Sequence, residues 1–227
     1  MSRLMCADAE AAWSAIDDQR RRTAELLEQL TEEQWRQPSL CQRWTVRHVA
    51  AHLTLQQQRV RDLATFVARN PSMLRSVTLN RTIHHSAVLQ AQLPTEELTH
   101  RIRAMIGSRR HNAFVTPLET LTDILVHSQD IAVPLGRDLE MDSTASALAA
   151  SRLWNTRGTI LARVFDALSL DGLRLTATDA DWIRGEGQEV AGPIGALLLL
   201  LTGRSVALAQ LTGQGADALR AAPAASR

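Results

Sequence analysis

The chain of 227 residues is 45% hydrophobic and 22% charged; this is the balance of a folded domain, and the length suffices for one large domain or for one of roughly 150 residues with an appendage. Its formal net charge of +1, with both signs interleaved, offers no basic stripe to follow a phosphate backbone and argues against a nucleic-acid partner. Every one of the 25 basic residues is an arginine, which excludes a Schiff-base lysine and any lysine-dependent phosphate loop.

Two cysteines, Cys6 and Cys41, make no disulfide framework in a chain this long. The longest apolar run, Ile194 to Leu201, is far short of the ~18 to 20 residues that cross a bilayer, and no charged-then-apolar leader opens the chain. A cytoplasmic protein is expected.

Trp13, Ile16, Thr23, Leu27 and Leu30 share one face at helical spacing, opposite Asp18, Arg21, Arg22 and Glu25, which predicts an amphipathic helix over Glu10 to Leu30. After a turn at Pro38 and Ser39, Thr45 is placed to cap a second helix running to about Arg69, before Asn70 and Pro71. Val49, Leu53, Val60, Leu63 and Val67 line it, with Gln56 standing where an apolar residue is expected and His52 beside the seam. A third helix is expected over Leu79 to Leu89, and Pro94 with Thr95 opens another in which Leu98, Ile102 and Met105 share a face until Gly107, Arg109 and Arg110. Thr116, Pro117 and Glu119 form a capping box with proline at the first helical position. That helix should run to about Ala132 and stop at Pro134 and Gly136; a further alanine-rich one should span Ser143 to about Leu168.

After Asp171 and Gly172 the period changes. Leu173, Leu175 and Ala177 alternate with Arg174, Thr176 and Thr178, the two-residue rhythm of a half-buried strand. Trp182 to Arg184 follows a turn, Gly185, Gly187, Gly192 and Pro193 read as a loop, and a leucine-rich helix ends at Gly203, with a loose tail after Arg220. The expected organisation is a helical domain over residues 1–168 and a small α/β domain over 169–227.

Asp123 and His127 stand four residues apart, so one helix face presents a carboxylate and an imidazole one turn apart. His52 comes from another helix, and its meeting with that pair would make a His, Asp, His set; His48, one turn earlier, is the alternative. Three protein ligands with one position open is the usual form of a catalytic zinc site, and bundle cores are where such sites are built. A hydrogen-bonded core histidine and a solvated or arginine-paired Asp123 are the plainer readings. Asp130 could orient the His127 imidazole, although an exposed helix end is the simpler expectation for it. Cys41 precedes a helix start, where a thiolate is favoured, or is a buried small hydrophobe. His84 and His85 cannot share a face and read as surface residues, and His100 and His111 sit among arginines and look solvated.

The run Ser39 to Leu53, with Trp44-Thr45-Val46 and Ala51-His52-Leu53 as its telling parts, resembles the start of the metal-binding helix in the mycothiol-dependent maleylpyruvate isomerase family, a branch of the DinB-like bundles. Asp123 to Gly136 is similar to that family's second metal-binding segment. Ala177 to Gly187, then Gly192-Pro193 and Leu201-Thr202-Gly203-Arg204, resembles its small C-terminal domain. The resemblance implies a mainly α fold, a DinB-like four-helix bundle followed by a small α/β domain, with zinc or another divalent metal on His52, Asp123 and His127. Asp123 departs from the family, whose ligand there is Glu. It further implies that mycothiol, the low-molecular-weight thiol of actinobacteria, serves as cofactor for isomerisation of, or S-transfer to, a small electrophilic substrate. Arg204 is the match for an arginine that matters in that family and would pair with a carboxylate of cofactor or substrate; Arg81 is a second candidate for that pocket. Competing expectations are a metal-dependent hydrolase, in which bound hydroxide replaces the thiolate, and a metal-binding protein without turnover. Monomer and homodimer fit equally.

Overall fold

A computed structural model of the protein describes residues 2–58, 65, 68, 79–112, 115–157 and 170–222, of which 2–8 and 79–80 are described in their backbone alone. The chain divides into two compact units, Met1–Glu140 and Met141–Arg227. The fold is mainly α, with one small sheet near the C-terminal end. The expected boundary at 168/169 lies outside the described residues.

The first unit comprises α1 (Ser2–Glu28), α2 (Glu32–Arg36), α3 (Val46–Leu53), α4 (Leu79–Gln90), α5 (Thr95–Ala104) and α6 (Pro117–Ala132). Helix α1 packs on α5 and α6, and α3 packs on α4, α5 and α6. Ile16, Leu27, Val49, Leu53, Leu98, Ile102, Leu121 and Ile124 fill the space between them and are almost wholly buried. The short α2 was not expected. Its start is a capping box in which Gln34 N donates to Thr31 Oγ1 (3.3 Å) and Thr31 N donates to Gln34 Oε1 (3.0 Å).

The second helix is shorter than its spacing predicts. It ends at Leu53, and a turn follows over Thr54–Gln57. Thr54 Oγ1 donates back to Ala51 O at 2.7 Å and accepts from Gln90 Nε2 at 2.9 Å. Such a side-chain bond offers the backbone an alternative to the next helical turn. From residue 59 onward the expected helix, apart from residues 65 and 68, lies outside the described residues.

Helix α6 begins as expected: Thr116 Oγ1 accepts from Leu118 N (3.3 Å) and Glu119 Oε2 accepts from Thr116 N (2.7 Å), with Pro117 at the first position. A 3-10 turn at Val133–Leu135 and Gly136 in the left-handed region end it. Because α6 carries both Asp123 and His127, Thr116→Ala is expected to lower unfolding stability by about 1 kcal/mol, read as a shifted urea midpoint with unchanged slope. An unchanged midpoint would remove the cap from the account of how α6 is held.

In the second unit α7 (Ser143–Thr156), capped by Asp142 Oδ1 accepting from Ala145 N at 2.7 Å, packs on α8 (Ile194–Leu201). The part of the expected helix beyond 157 lies outside the described residues. Strand β1 (Leu173–Ala177) is flanked by β2 (Ile183–Gly185), antiparallel, and by β3 (Gln188–Gly192), parallel. The glycine-rich stretch read as a loop is therefore mostly strand. Its glycines serve the crossing from one edge of β1 to the other: at Gly187, φ is +122° and an added Cβ would sit 2.0 Å from Gly172 O, where only glycine fits. Leu175 pairs in register with Val190, both fully buried, and α8 and α9 (Gln214–Ala221) pack against β1 and β3 respectively.

Candidate metal centre

Helix α3 is anchored through its first turn. At its start Thr45 N donates to His48 Nδ1 at 3.1 Å, and Thr45 Oγ1 stands 2.8 Å from the same atom, so His48 completes a capping box. Burial, with His84 and Arg47 as positive neighbours, keeps the His48 imidazole below its ordinary pKa, which suits an acceptor role. Arg47 reaches from α3 to the chain end of α4, donating to Ala91 O and Leu93 O, each at 2.6 Å.

So fixed, α3 brings His52 to the pair on α6. His52 Nε2 lies 3.3 Å and His127 Nε2 3.4 Å from the same oxygen, Asp123 Oδ1. One ligand atom from each residue falls within 4.8 Å of the others, and the two imidazoles stand edge-on, 4.8 Å between centroids and 77° between planes. A tetrahedral ion about 2.0–2.1 Å from nitrogen and oxygen ligands requires ligand-to-ligand edges of about 3.3–3.4 Å. The two measured edges have that length, and side-chain exposures of 16%, 29% and 14% for His52, Asp123 and His127 leave the set reachable from solvent. The donor set fits a zinc-like divalent ion.

The far side of His127 is equally ordered. Its Nδ1 is 2.8 Å from Asp130 Oδ2, and Cys41 donates to that oxygen at 3.0 Å. Asp130 is fully buried, which corrects the expectation of an exposed helix end; it accepts from His127 Nδ1–H and so fixes the ring with Nε2 facing Asp123. Cys41 arrives on the loop before α3. Ser39 Oγ accepts from Cys41 N and donates to Trp44 O, Leu40 N donates to Asp130 O, and Arg43 takes a left-handed φ of 65°. Cys41, His127 and Asp130 form a second group of ligand-type atoms within 4.8 Å. Trp44 lies against both imidazoles, 5.3 Å from His52 and 6.2 Å from His127, and its Nε1 donates to His84. His84, expected at the surface, is thus half-buried beside the centre.

Charge is concentrated here. Burial alone would lower the His127 pKa, but the Asp123 charge, then Cys41 and the hydrogen bonds to Asp123 and Asp130, outweigh it and hold the imidazolium well above its ordinary range. Burial alone would raise Asp123; the charges of His52 and His127 and their hydrogen bonds hold it well below the usual carboxylate range. Its second oxygen, Oδ2, accepts from Gln56 Nε2 at 2.7 Å.

The two arginines singled out in the sequence are placed separately. Arg81 is exposed on α4. Arg204 belongs to the second unit, where it precedes the 3-10 turn Ser205–Gln210 and donates through Nη1 to Thr202 O at 2.6 Å. His100 is exposed as expected, whereas His111 is half-buried and stacks on Trp13 with centroids 6.2 Å apart. Sequence reading missed the site roles of Gln56, Trp44 and the buried Arg20. Gln56 left a signal as a polar residue on an apolar stripe and Trp44 as part of the Trp44-Thr45-Val46 motif, whereas Arg20 left none.

The first unit is helical and groups His52, Asp123 and His127 closely enough that they could hold a metal ion, and the second carries a small three-stranded sheet. Residues 16–120 match the family described as "Mycothiol maleylpyruvate isomerase N-terminal domain". A crystal structure of the mycothiol-dependent maleylpyruvate isomerase in a histidine-to-alanine mutant form is similar in fold over 92% of this chain and 93% of that one, with TM-score 0.58 at 12% identity. The crystal structure of the mycothiol-dependent maleylpyruvate isomerase itself has TM-score 0.55 at 13% identity, with the same coverage. No curated protein sequence matches the chain. No helix among the described residues is long and apolar enough to cross a membrane.

Proposed function

We propose that the protein is a metal-dependent enzyme that uses a low-molecular-weight thiol, mycothiol, for isomerisation of, or S-transfer to, a small electrophilic substrate in the cytoplasm. The observation that carries this reading is the convergence of His52 Nε2, Asp123 Oδ1 and His127 Nε2 at zinc-like spacing, in a chain whose first unit matches a mycothiol-related family. A divalent ion bound there would lower the pKa of a coordinated thiol and hold its sulfur as a nucleophile.

The protein's own residues supply the rest. Asp130 and the Cys41 loop set the His127 tautomer, and His48 caps α3 so that His52 faces α6. Trp44 packs against both imidazoles of the pair. Arg204, from its charge and the resemblance of its segment, is assigned to pairing with a carboxylate of cofactor or substrate, with Arg81, from its charge, as the weaker candidate. A thiol reading is preferred to a hydrolase because of the family match.

Calorimetry with mycothiol tests it. Zinc-loaded protein should bind the thiol with release of a proton, and protein stripped by a chelator should bind at least about tenfold more weakly, the loss of one strong charge-assisted contact. Equal binding with and without the ion, or no binding to either form, would overturn the thiol reading; the hydrolase alternative predicts no binding.

A further inference from the structure

Gln56 interrupts an apolar stripe and is 4% exposed. A buried amide is costly unless both of its ends are hydrogen-bonded, and here both are. Nε2 donates to Asp123 Oδ2 at 2.7 Å, and Oε1 accepts from Arg20 Nη2 at 3.3 Å. Arg20 is itself fully buried; its Nη1 donates to Met105 O at 3.0 Å and lies 3.8 Å from Asp17 Oδ1. Asp17 in turn accepts from Gly107 N at 2.9 Å and from Arg109 Nη1 at 2.7 Å, which ties the row to the surface. A chain of polar groups thus runs from solvent through the core to the unshared oxygen of Asp123.

The order of the groups fixes the amide's orientation. A guanidinium only donates and an ionised carboxylate only accepts, so Gln56 must turn its oxygen to Arg20 and its NH2 to Asp123. Burial lowers the Arg20 pKa to about 10, with Asp17 and Asp123 opposing the fall, which leaves it charged at neutral pH. A fixed cation behind the amide polarises it and strengthens the bond it donates. With Oδ2 engaged in this way, only Oδ1 is directed at His52 Nε2 and His127 Nε2.

We infer that Gln56, oriented by the buried Arg20, is a positioning residue that engages Asp123 Oδ2 and makes Asp123 a one-oxygen ligand, keeping the metal's fourth position open; this rests on the reading that the trio holds a metal. Without that amide Oδ2 is free to turn onto the ion, which raises the coordination number and closes the position a thiol would take.

The experiment uses Co(II) on the purified full chain, in wild type, His52→Ala, Gln56→Met and Gln56→Glu. Methionine keeps the length and removes both hydrogen-bonding ends; glutamate keeps an acceptor for Arg20 and replaces the donor. Gln56→Met is expected to weaken Co(II) binding by about 10–100-fold and to reduce the visible absorption of the bound ion as coordination rises above four. Gln56→Glu should change the spectrum whatever its affinity, because a carboxylate cannot donate to Oδ2. A folded Gln56→Met protein, judged by circular dichroism and thermal melting, that binds within twofold of wild type with an unaltered spectrum overturns the inference. If Gln56→Met does not fold, a wild-type spectrum in Gln56→Glu overturns it. Failure of the metal reading looks different: wild type takes up no Co(II), or His52→Ala takes it up equally well, and the inference falls with it.

Discussion

Replacing His52 with alanine is expected to lower divalent-metal affinity by about 100-fold or more, since removing even the groups that merely hold a ligand in place costs about 10–100-fold. His52 is the one member of the trio supplied by α3. Its loss leaves Asp123 and His127 on α6, and two ligands from one helix face do not complete a zinc site. The imidazole is half-buried at the edge of the core and packs on Trp44, so the variant should fold and differ chiefly in metal content. Elemental analysis after dialysis against a weak chelator would read it, with near-stoichiometric zinc or nickel in wild type and less than a tenth of that in the variant. Equal metal in both would place the ion elsewhere, the Cys41, His127, Asp130 group being the nearest other set among the described residues.

Metal affinity should also fall steeply as pH falls, by about tenfold for each unit over the range in which His127 is protonated in the metal-free protein. The sign follows from the two shifts. His127 is raised above its ordinary 6.5, so the stabilisation its charge gives the metal-free fold is complete below 6.5 and is lost as pH rises through the raised value. Asp123 is lowered below its ordinary 3.8, so its contribution is present above 3.8 and lost only as pH falls through the depressed value. The metal needs the imidazole neutral and the carboxylate ionised. Between 6.5 and the raised value of His127 it therefore competes with the proton that stabilises the empty site, and binding there must release that proton. Titrations with zinc in two buffers of different ionisation enthalpy would count the protons released. No release across that window would mean that His127 is not a ligand.

How much of this could be read from the residues varied with the range of the interaction. The start of α6 was legible because Thr116, Pro117 and Glu119 satisfy the helix's own end groups within four residues of one another. The one-turn spacing of Asp123 and His127 was legible for the same reason. The same kind of local signal exists for α2 in Thr31 and Gln34, but five residues carry no periodicity to accompany it. Helix α3 was overextended because periodicity does not register Thr54, whose hydroxyl bonds back to Ala51 and receives Gln90 from another helix. The strand β3 reads as a loop in sequence because Gly185, Gly187 and Gly192 are set by close approach to Leu173 O, Gly172 O and Gln210 O, contacts that residue spacing does not show.

The sequence by itself determined that two helices would each carry potential ligands, that one pair would share a face, and, through resemblance, which histidine of α3 would join it. Tertiary structure alone decided the geometry of the centre: that His52 and His127 meet one oxygen of Asp123, that Asp130 is buried behind His127 with the Cys41 loop folded over it, and that Arg20 and Gln56 hold the other oxygen. The division has a physical cause. Helical spacing and caps are set by hydrogen bonds between residues a few positions apart, whereas Arg20, Gln56 and Asp123 are joined only when α1, the turn after α3 and α6 close on a common core, where an unpartnered polar group is too costly to leave.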